Sequence, residues 1–429
     1  MARYIIEGGG RLSGELKIHG AKNSVLPVLA ATLLTKESTV HNCPALTDVD
    51  AACNILSYLG CDVDQSGGSV HVVPGDLKGC GIPDSLMREM RSSVVFLGAI
   101  IARCGKARIS RPGGCELGPR PIDLHLSALE KLGVTITEDH GYLECEAEGR
   151  LQGASIILPF PSVGATENAM LAACTAQGST VIQNAAREPE IEDLMHFLNS
   201  AGAKIRIGEN GAIYIEGVDE LGSVDYSVIP DRIAGATYLC AAAITGGELL
   251  LTGVVPEHMA SVFPMLEEAG CVIKARGDTV YLRMHGRPKP IRLVRTMPYP
   301  GFPTDAQSPL MALSCIASGT SVFVENIFES RYKHAAELAR MGARISIEGR
   351  VAAVEGVKRL HGATIKCTDL RGGAALVIAA LCADGVTAIS EIHHVERGYQ
   401  DFDTNLRGLG AVIRKERKTE DGQECEKKQ

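Results

Sequence analysis

Six times along this chain the spacing of apolar positions changes in the same way. Leucines at helical intervals give way to a glycine, and the glycine to an alternating run of apolar and polar residues. The copies are Leu56–Val63, Leu129–Ile136, Leu198–Ile205, Leu266–Ile273, Leu338–Ile345 and Leu406–Ile413, with glycines at 60, 133, 202, 270, 342 and 410, so that successive copies lie 68 to 73 residues apart. Each reads as a helix end, a glycine just past it and the start of a strand. Alanine-rich runs predict further helices at Val25–Leu34, Thr166–Ala176, Ala234–Thr245, Ser308–Ser318 and Gly373–Ala383. Each is followed by glycine, a β-branched strand and a second helix, and the glycine with another strand pair closes the unit.

A unit of this kind is long enough for a βαβαβ module but too small to hide both faces of its helices. The expected solution is an α/β protein of two pseudo-symmetric domains, each of three such repeats packed around buried helices, meeting at a cleft. The break falls near Val228–Arg232. The strands Tyr4–Ile6 and Gly14–His19 precede the first helix and are expected to pair with the second domain. The chain then crosses twice, with Lys22 and Pro230 near the hinge. The predicted domains are 22–229, and 1–21 together with 230–418, with 419–429 a disordered tail.

Composition narrows the chemistry. At 429 residues the chain exceeds a single core. Hydrophobic residues make up 45% and aromatics only 4%, with no Trp, so the core must be Ala, Val, Ile and Leu. A net charge of −8 argues against a nucleic-acid partner. It leaves room for an anionic small substrate in a local cationic pocket. The 14 cysteines form no CxxC pair and no Cys/His spacing typical of zinc, so no metal is expected. With no signal peptide in view they indicate a reducing, cytoplasmic setting. The apolar run Val94–Ala102 is too short to span a bilayer, so no membrane insertion is expected.

Among the cysteines, Cys53, Cys174, Cys240, Cys315 and Cys382 lie in alanine- and leucine-rich helical stretches and read as packing residues. Cys115 differs. It sits in Arg111-Pro112-Gly113-Gly114-Cys115-Glu116-Leu117-Gly118-Pro119-Arg120-Pro121, where glycines permit movement and arginines favour thiolate. A mobile loop carrying a thiol and an arginine reads as an active-site lid.

Other polar clusters stand where strands meet alanine-rich helices. Gly20-Ala21-Lys22-Asn23-Ser24 lacks P-loop spacing, yet a lysine beside a helix start is either a phosphate contact or a solvated turn residue. Met90-Arg91-Ser92-Ser93 reads as a helix start with serine donors, and Pro161–Thr166 as hydroxyls and amides offered to an anion. Gly301–Gln307 places Asp305 at a proline-bounded turn. Asp369 and Arg371 read singly as a structural ion pair. Together Lys22, Arg91, Arg120, Arg331, Arg371 and Arg397 recur at similar places in the units. Buried cations without matching anions are costly, and a multiply anionic substrate would explain them.

The segments GELKIHGAKNS, MRSSVVFLGAII, RPGGCELGPRPIDLH, SVGATEN, NAAREPEI, FPTDAQ and RGY resemble those of the UDP-N-acetylglucosamine 1-carboxyvinyltransferases, the enolpyruvyl transferases that open bacterial peptidoglycan precursor synthesis. The resemblance runs from Tyr4 to about Ile413. It implies inside-out α/β-barrel domains, phosphoenolpyruvate and UDP-N-acetylglucosamine as substrates, and no cofactor. By resemblance Cys115 protonates the methylene carbon of phosphoenolpyruvate, and Asp305 is the base near the sugar 3′-hydroxyl. Lys22, Arg120 and Arg397 hold the phosphate, with Arg331 and Arg371 in the same anion-binding cluster. Asn23, Arg91, Asp305 and Ile327 surround the amino sugar. Arg120, Pro121, Ile122, Asp123 and Leu124, with Ser162, Val163 and Gly164, form the uridine diphosphate site. The resemblance leaves the oligomeric state open.

Three positions depart from the family pattern: Phe160 replaces a lysine, Ala234 a glutamate and Gln400 a glutamate. They keep alive a silent nucleotide-sugar-binding paralogue with a regulatory role. The related shikimate-phosphate transferases share the repeats but lack a cysteine in the RPGGC setting, so Cys115 separates the two.

Overall fold

The computed structural model describes residues 2–77, 79–90, 92–110 and 122–417. These fall into two compact units, one of residues 19–230 and one of residues 2–18 with 231–417. Among the described residues there are six four-stranded sheets, three in each unit.

One repeat shows how the sequence pattern becomes a sheet. The strand Ser155–Ile157 leads through the helix Val163–Ala173 to Ser179–Gln183, which pairs with it in parallel. A second helix, Pro189–Ser200, then leads to the strands Lys204–Ile207 and Ile213–Glu216. These form an antiparallel hairpin that closes the sheet on Ser179–Gln183. The closing strand pair predicted from sequence is this hairpin, so a unit carries one strand more than a βαβαβ module.

Two strands are exchanged between repeats. Ser13–Lys17 directly precedes the helix Lys22–Ala31, yet it pairs in parallel with Glu248–Thr252. Val224–Ser227 directly precedes Arg232–Ile244, yet it pairs in parallel with Ser38–His41. The chain therefore passes from one unit to the other at residues 18–19 and 230–231. The N-terminal strand Ala2–Glu7 pairs antiparallel with Val386–Ser390 and Val412–Arg417, and so supplies the hairpin strand that the last repeat lacks. At the start of residues 19–230 the Ala21 N–H donates to the Ile229 carbonyl at 2.8 Å, and Gly20 bridges Pro230. A Cβ on Gly20 would lie 1.8 Å from the Asn42 carbonyl oxygen, so only glycine fits there.

The cores are helical and the sheets lie outside them. Every residue of Arg232–Ile244 is buried, and this helix packs with Thr304–Ser314 and Leu370–Cys382. A helix apolar on all sides has no solvent face to offer. The sheets do, as the alternating burial of Glu248–Thr252 shows. In the other unit Phe96–Cys104 packs against Val163–Ala173. The sequence had shown the run Val94–Ala102 only as too short for a membrane span. It is the sixth core helix. No helix among the described residues is long and apolar enough to cross a membrane.

Arginines close the helix ends in equivalent places. Arg150 donates to the carbonyls of Thr175 at 2.7 Å and Val218 at 2.6 Å. Arg287 donates to those of Ile316 at 2.8 Å, Ala317 at 2.6 Å and Val357 at 2.9 Å. The carbonyls of Thr175, Ile316 and Ala317 lie just past helix C-termini, where carbonyls lack intrahelical partners and carry the negative end of the dipole, while Val218 and Val357 follow strands. Burial pushes the Cys53 and Cys174 thiols up to about 12, which leaves them inert.

Candidate active site

The helix Thr304–Ser314 begins after Pro303, earlier than predicted, and places Asp305 in its first turn. The positive end of the helix dipole favours a carboxylate there. Arg331 follows the strand Thr320–Val324, and Arg371 lies in the first turn of Leu370–Cys382. The three side chains converge. Arg331 Nη2 lies 2.8 Å from Asp305 Oδ1, and Arg371 Nη2 lies 3.1 Å from Oδ2, with its Nε at 3.2 Å. Both arginine side chains are 2% exposed, whereas that of Asp305 is 24% exposed. Burial raises the carboxyl pKa, but the charges and hydrogen bonds of Arg371 and Arg331 outweigh it and hold Asp305 well below the usual carboxylate range.

Asp369 does not pair with Arg371, contrary to the reading of the two as an ion pair. Its Oδ1 accepts the backbone N–H groups of Arg371 at 3.1 Å and Gly372 at 2.9 Å, so it caps the helix that carries Arg371. The Arg371 guanidinium lies over the Tyr399 ring at 5.2 Å, and the Tyr399 and Thr237 hydroxyls are 2.9 Å apart. Arg397, two residues before Tyr399, is half-buried at the end of the short helix His393–Glu396.

Sequence reasoning missed Glu325. It is buried and accepts from the Thr296 and Thr304 hydroxyls, both at 2.9 Å, and from the Ile327 and Phe328 N–H groups at 2.8 and 3.0 Å. It thereby pins Ile327 to the start of the Asp305 helix. His334, also unforeseen, is fully buried, and burial lowers its pKa to about 4, so it is neutral.

In the other unit Lys22 opens the helix Lys22–Ala31, and its Nζ lies 2.7 Å from the buried Asp48 Oδ2. Asn23 beside it is exposed. Ser24 donates to Asp193, which also accepts from the Tyr226 hydroxyl at 2.6 Å and the Ile229 N–H at 3.3 Å. That buried carboxylate ties the Lys22 turn to the segment before Pro230.

Ser162 caps the helix Val163–Ala173 by accepting from the Ala165 N–H. Its first residues meet the second predicted segment: a Cβ on Gly164 would lie 2.7 Å from the His125 ring, and His125 Nδ1 lies 2.8 Å from Asn168 Nδ2. Ile122 is buried before the helix Asp123–Lys131, Asp123 is exposed and Leu124 half-buried. The Thr166 hydroxyl is not free for an anion, because it donates to the Ser162 carbonyl and accepts from the Ala186 N–H. Nor is Met90–Ser93 one helix start. Met90 follows the helix Asp84–Glu89, and Ser93 opens a 3-10 turn before Phe96–Cys104. Cys115, Arg91, Arg120 and Pro121 lie outside the described residues.

The expectation that the buried cations lack matching anions is corrected for three of them. Asp48 neutralises Lys22, and Asp305 is shared by Arg331 and Arg371. Buried charge demands a partner, and the chain supplies one carboxylate to Lys22 and one shared by Arg331 and Arg371.

Residues 6–406 match the family described as EPSP synthase (3-phosphoshikimate 1-carboxyvinyltransferase). UDP-N-acetylglucosamine 1-carboxyvinyltransferase 2 of Caldanaerobacter subterraneus is 51% identical over 96% of this chain and 99% of its own length. The UDP-N-acetylglucosamine 1-carboxyvinyltransferase of Pseudoalteromonas atlantica is 44% identical over 97% and 100%. The chain belongs to this family of enolpyruvyl transferases. The crystal structure of the enolpyruvyl transferase NikO from Streptomyces tendae superposes with a TM-score of 0.87 at 28% identity, covering 96% of this chain and 98% of that one. An EPSP synthase structure from Acinetobacter baumannii shares the fold at a TM-score of 0.73 and 18% identity. The two-unit inside-out α/β architecture of this transferase is thus that of its relatives.

Proposed function

We propose that this enolpyruvyl transferase moves the enolpyruvyl group of phosphoenolpyruvate to the 3′-hydroxyl of UDP-N-acetylglucosamine, releasing phosphate. The observation that carries the reading is its 44–51% identity, over nearly full length, to enzymes named for that reaction. The retained Cys115 and Asp305 support it. The reaction is the first committed step of peptidoglycan precursor synthesis. In this reading the protein works in the cytoplasm and serves wall biogenesis, cell shape and division.

The chemistry is addition followed by elimination. Cys115 gives a proton to C3 of phosphoenolpyruvate, which makes C2 electrophilic. The sugar oxygen attacks C2 while Asp305 takes its proton. A proton then leaves C3, the C2–O bond to phosphate breaks, and the double bond re-forms. Lys22, Arg120 and Arg397 hold the phosphate, and Arg331 and Arg371 add positive charge where negative charge develops. Asn23, Arg91 and Ile327 hold the amino sugar, and Arg120–Leu124 with Ser162–Gly164 the uridine diphosphate. Acid, base and cations suffice, so neither metal nor cofactor enters the scheme. Phe160 is exposed and Ala234 buried in a core helix, and neither removes a catalytic group.

The test is phosphate release from purified protein given both substrates, with each omitted in turn. Release that needs both supports the transfer. Binding of the nucleotide sugar without any release sinks it in favour of the silent paralogue.

A further inference from the structure

Asp305 as described is a poor base. Each carboxylate oxygen is held by a different buried guanidinium, Oδ1 by Arg331 and Oδ2 by Arg371. The two positive charges also hold the carboxyl far below the range in which it would accept a proton from a sugar hydroxyl. Both arginines nevertheless keep donors in reserve. Arg331 Nε is buried with no hydrogen-bond partner among the described residues, and the buried Arg371 Nη1 has at most the neutral Tyr399 phenol beside it. A buried guanidinium N–H left unpaired is costly, so these atoms are poised to take an incoming acceptor.

We propose that Arg331 and Arg371 arm Asp305. An anionic group of phosphoenolpyruvate draws one or both guanidinium groups off the carboxylate, so that Asp305 becomes able to accept the sugar proton only once that substrate is bound. The inference deepens the function proposed above and rests on it. In this role the arginines are positioning residues for Asp305 as well as contacts for the anion.

The surrounding charges leave the exchange to the substrate. Two guanidinium groups face one carboxylate, a local excess of positive charge that a second anion would relieve. Among the described residues the other carboxylates nearby are engaged by hydrogen bonds of their own, although the charge of Asp231 also acts on Arg371. Glu325 is engaged by Thr296, Thr304, Ile327 and Phe328. Asp369 caps its own helix at Arg371 and Gly372. Asp231 caps the helix Arg232–Ile244 at Ile233 and Ala234. Tyr399 faces Arg371 as a phenol whose pKa burial raises, and His334, near Arg331, is neutral. Once the guanidinium groups turn to the substrate, the burial that was outweighed becomes the dominant influence on Asp305. It then raises the carboxyl toward the range of a working base.

Such a switch has a thermodynamic signature, because a site whose proton affinity rises on ligand binding takes up protons. Phosphoenolpyruvate is titrated by calorimetry, in buffers of different ionisation enthalpy, into Cys115→Ala protein saturated with UDP-N-acetylglucosamine. The Cys115 substitution prevents turnover. The same titration is run on the Cys115→Ala, Asp305→Asn protein. The expected result is an excess proton uptake when Asp305 is present, growing as the pH of the titration is lowered. Equal uptake in both proteins, with phosphoenolpyruvate bound, overturns the switch. Failure of phosphoenolpyruvate to bind either protein overturns instead the function beneath it. A second measurement uses Arg331→Gln in the otherwise intact enzyme. KM for phosphoenolpyruvate should rise about tenfold or more while kcat falls by less, since Asp305 is then partly released before binding. A loss confined to kcat, with KM unmoved, refutes the proposal.

Discussion

Glu167 offers a test of how this fold tolerates charge. It lies on the helix Val163–Ala173, 6% exposed, beside Glu190, which is 3% exposed. Burial first, then the charges of Glu190 and Glu188, push its carboxyl from 4.5 up to about 8. A carboxyl raised in this way keeps its proton in the folded protein at pH values where the unfolded chain has lost it. Stability is then greatest below pH 4.5, falls as pH rises, and the whole contribution is lost once pH passes about 8. At about 1.4 kcal/mol per tenfold, the interval is worth about 5 kcal/mol at most, and neighbouring relaxation reduces it to about 2–4 kcal/mol. Glu167→Gln keeps the shape and removes the titration. Chemical denaturation at pH 5, 7 and 9 should show the variant close to the parent at the lowest pH and about 2–4 kcal/mol more stable at the highest. Parallel pH profiles for the two proteins would refute the reasoning.

Gly164→Ala places a Cβ 2.7 Å from the His125 ring, which must move and loosen from Asn168. It should cost about 1–3 kcal/mol in denaturation and raise KM for the nucleotide sugar more than for phosphoenolpyruvate. Asp193→Ala strands the Ser24 and Tyr226 hydroxyls and the Ile229 N–H, and should lose about 3 kcal/mol. Asp193→Asn, which keeps one acceptor, should lose less than half of that in the same denaturation series. Arg287→Ala frees the carbonyls of Ile316, Ala317 and Val357 and should lower stability by about 1–2 kcal/mol, a loss that lysine does not restore because it lacks the planar fork.

The repeat was legible because backbone geometry dictates its residue. Gly60, Gly133, Gly202, Gly270, Gly342 and Gly410 all have φ between 93° and 109°, which side chains resist. Helix starts were less legible, and for an instructive reason. Lys22, Arg232, Asp305 and Arg371 look like loop chemistry in sequence, so the core helices are predicted to begin two to four residues late. In the fold these polar residues form the first turn, tolerated because each is paired or capped. The candidate site occupies the residues that pattern reasoning assigned to loops. The exchange of Ser13–Lys17 into the second unit was expected from its place before the first helix, but nothing local named its partner, Glu248–Thr252, which lies far along the chain. Glu325 and Asp193 were equally silent, because what marks them is the set of distant donors that they gather.

Lys22, Arg331 and Arg371 invite the inference that a cation assigned to substrate waits unpaired for it. A lone buried guanidinium or ammonium would be expensive, and in each unit the chain avoids the expense with a carboxylate of its own, Asp48 in one and Asp305 in the other. In the proposed function an anionic ligand at these cations would compete with an internal anion, and only the surplus of the new contacts over the old would appear as affinity. That competition favours ligands with several negative charges at fixed separations over single anions such as chloride. It also makes each internal carboxylate a determinant of binding although it never touches the anion. Removing Asp48 need not tighten an anion on Lys22, because the carboxylate also holds the ammonium in place. The balance between these effects decides whether Asp48→Asn raises or lowers affinity, and its sign measures how far Lys22 is positioned rather than merely neutralised.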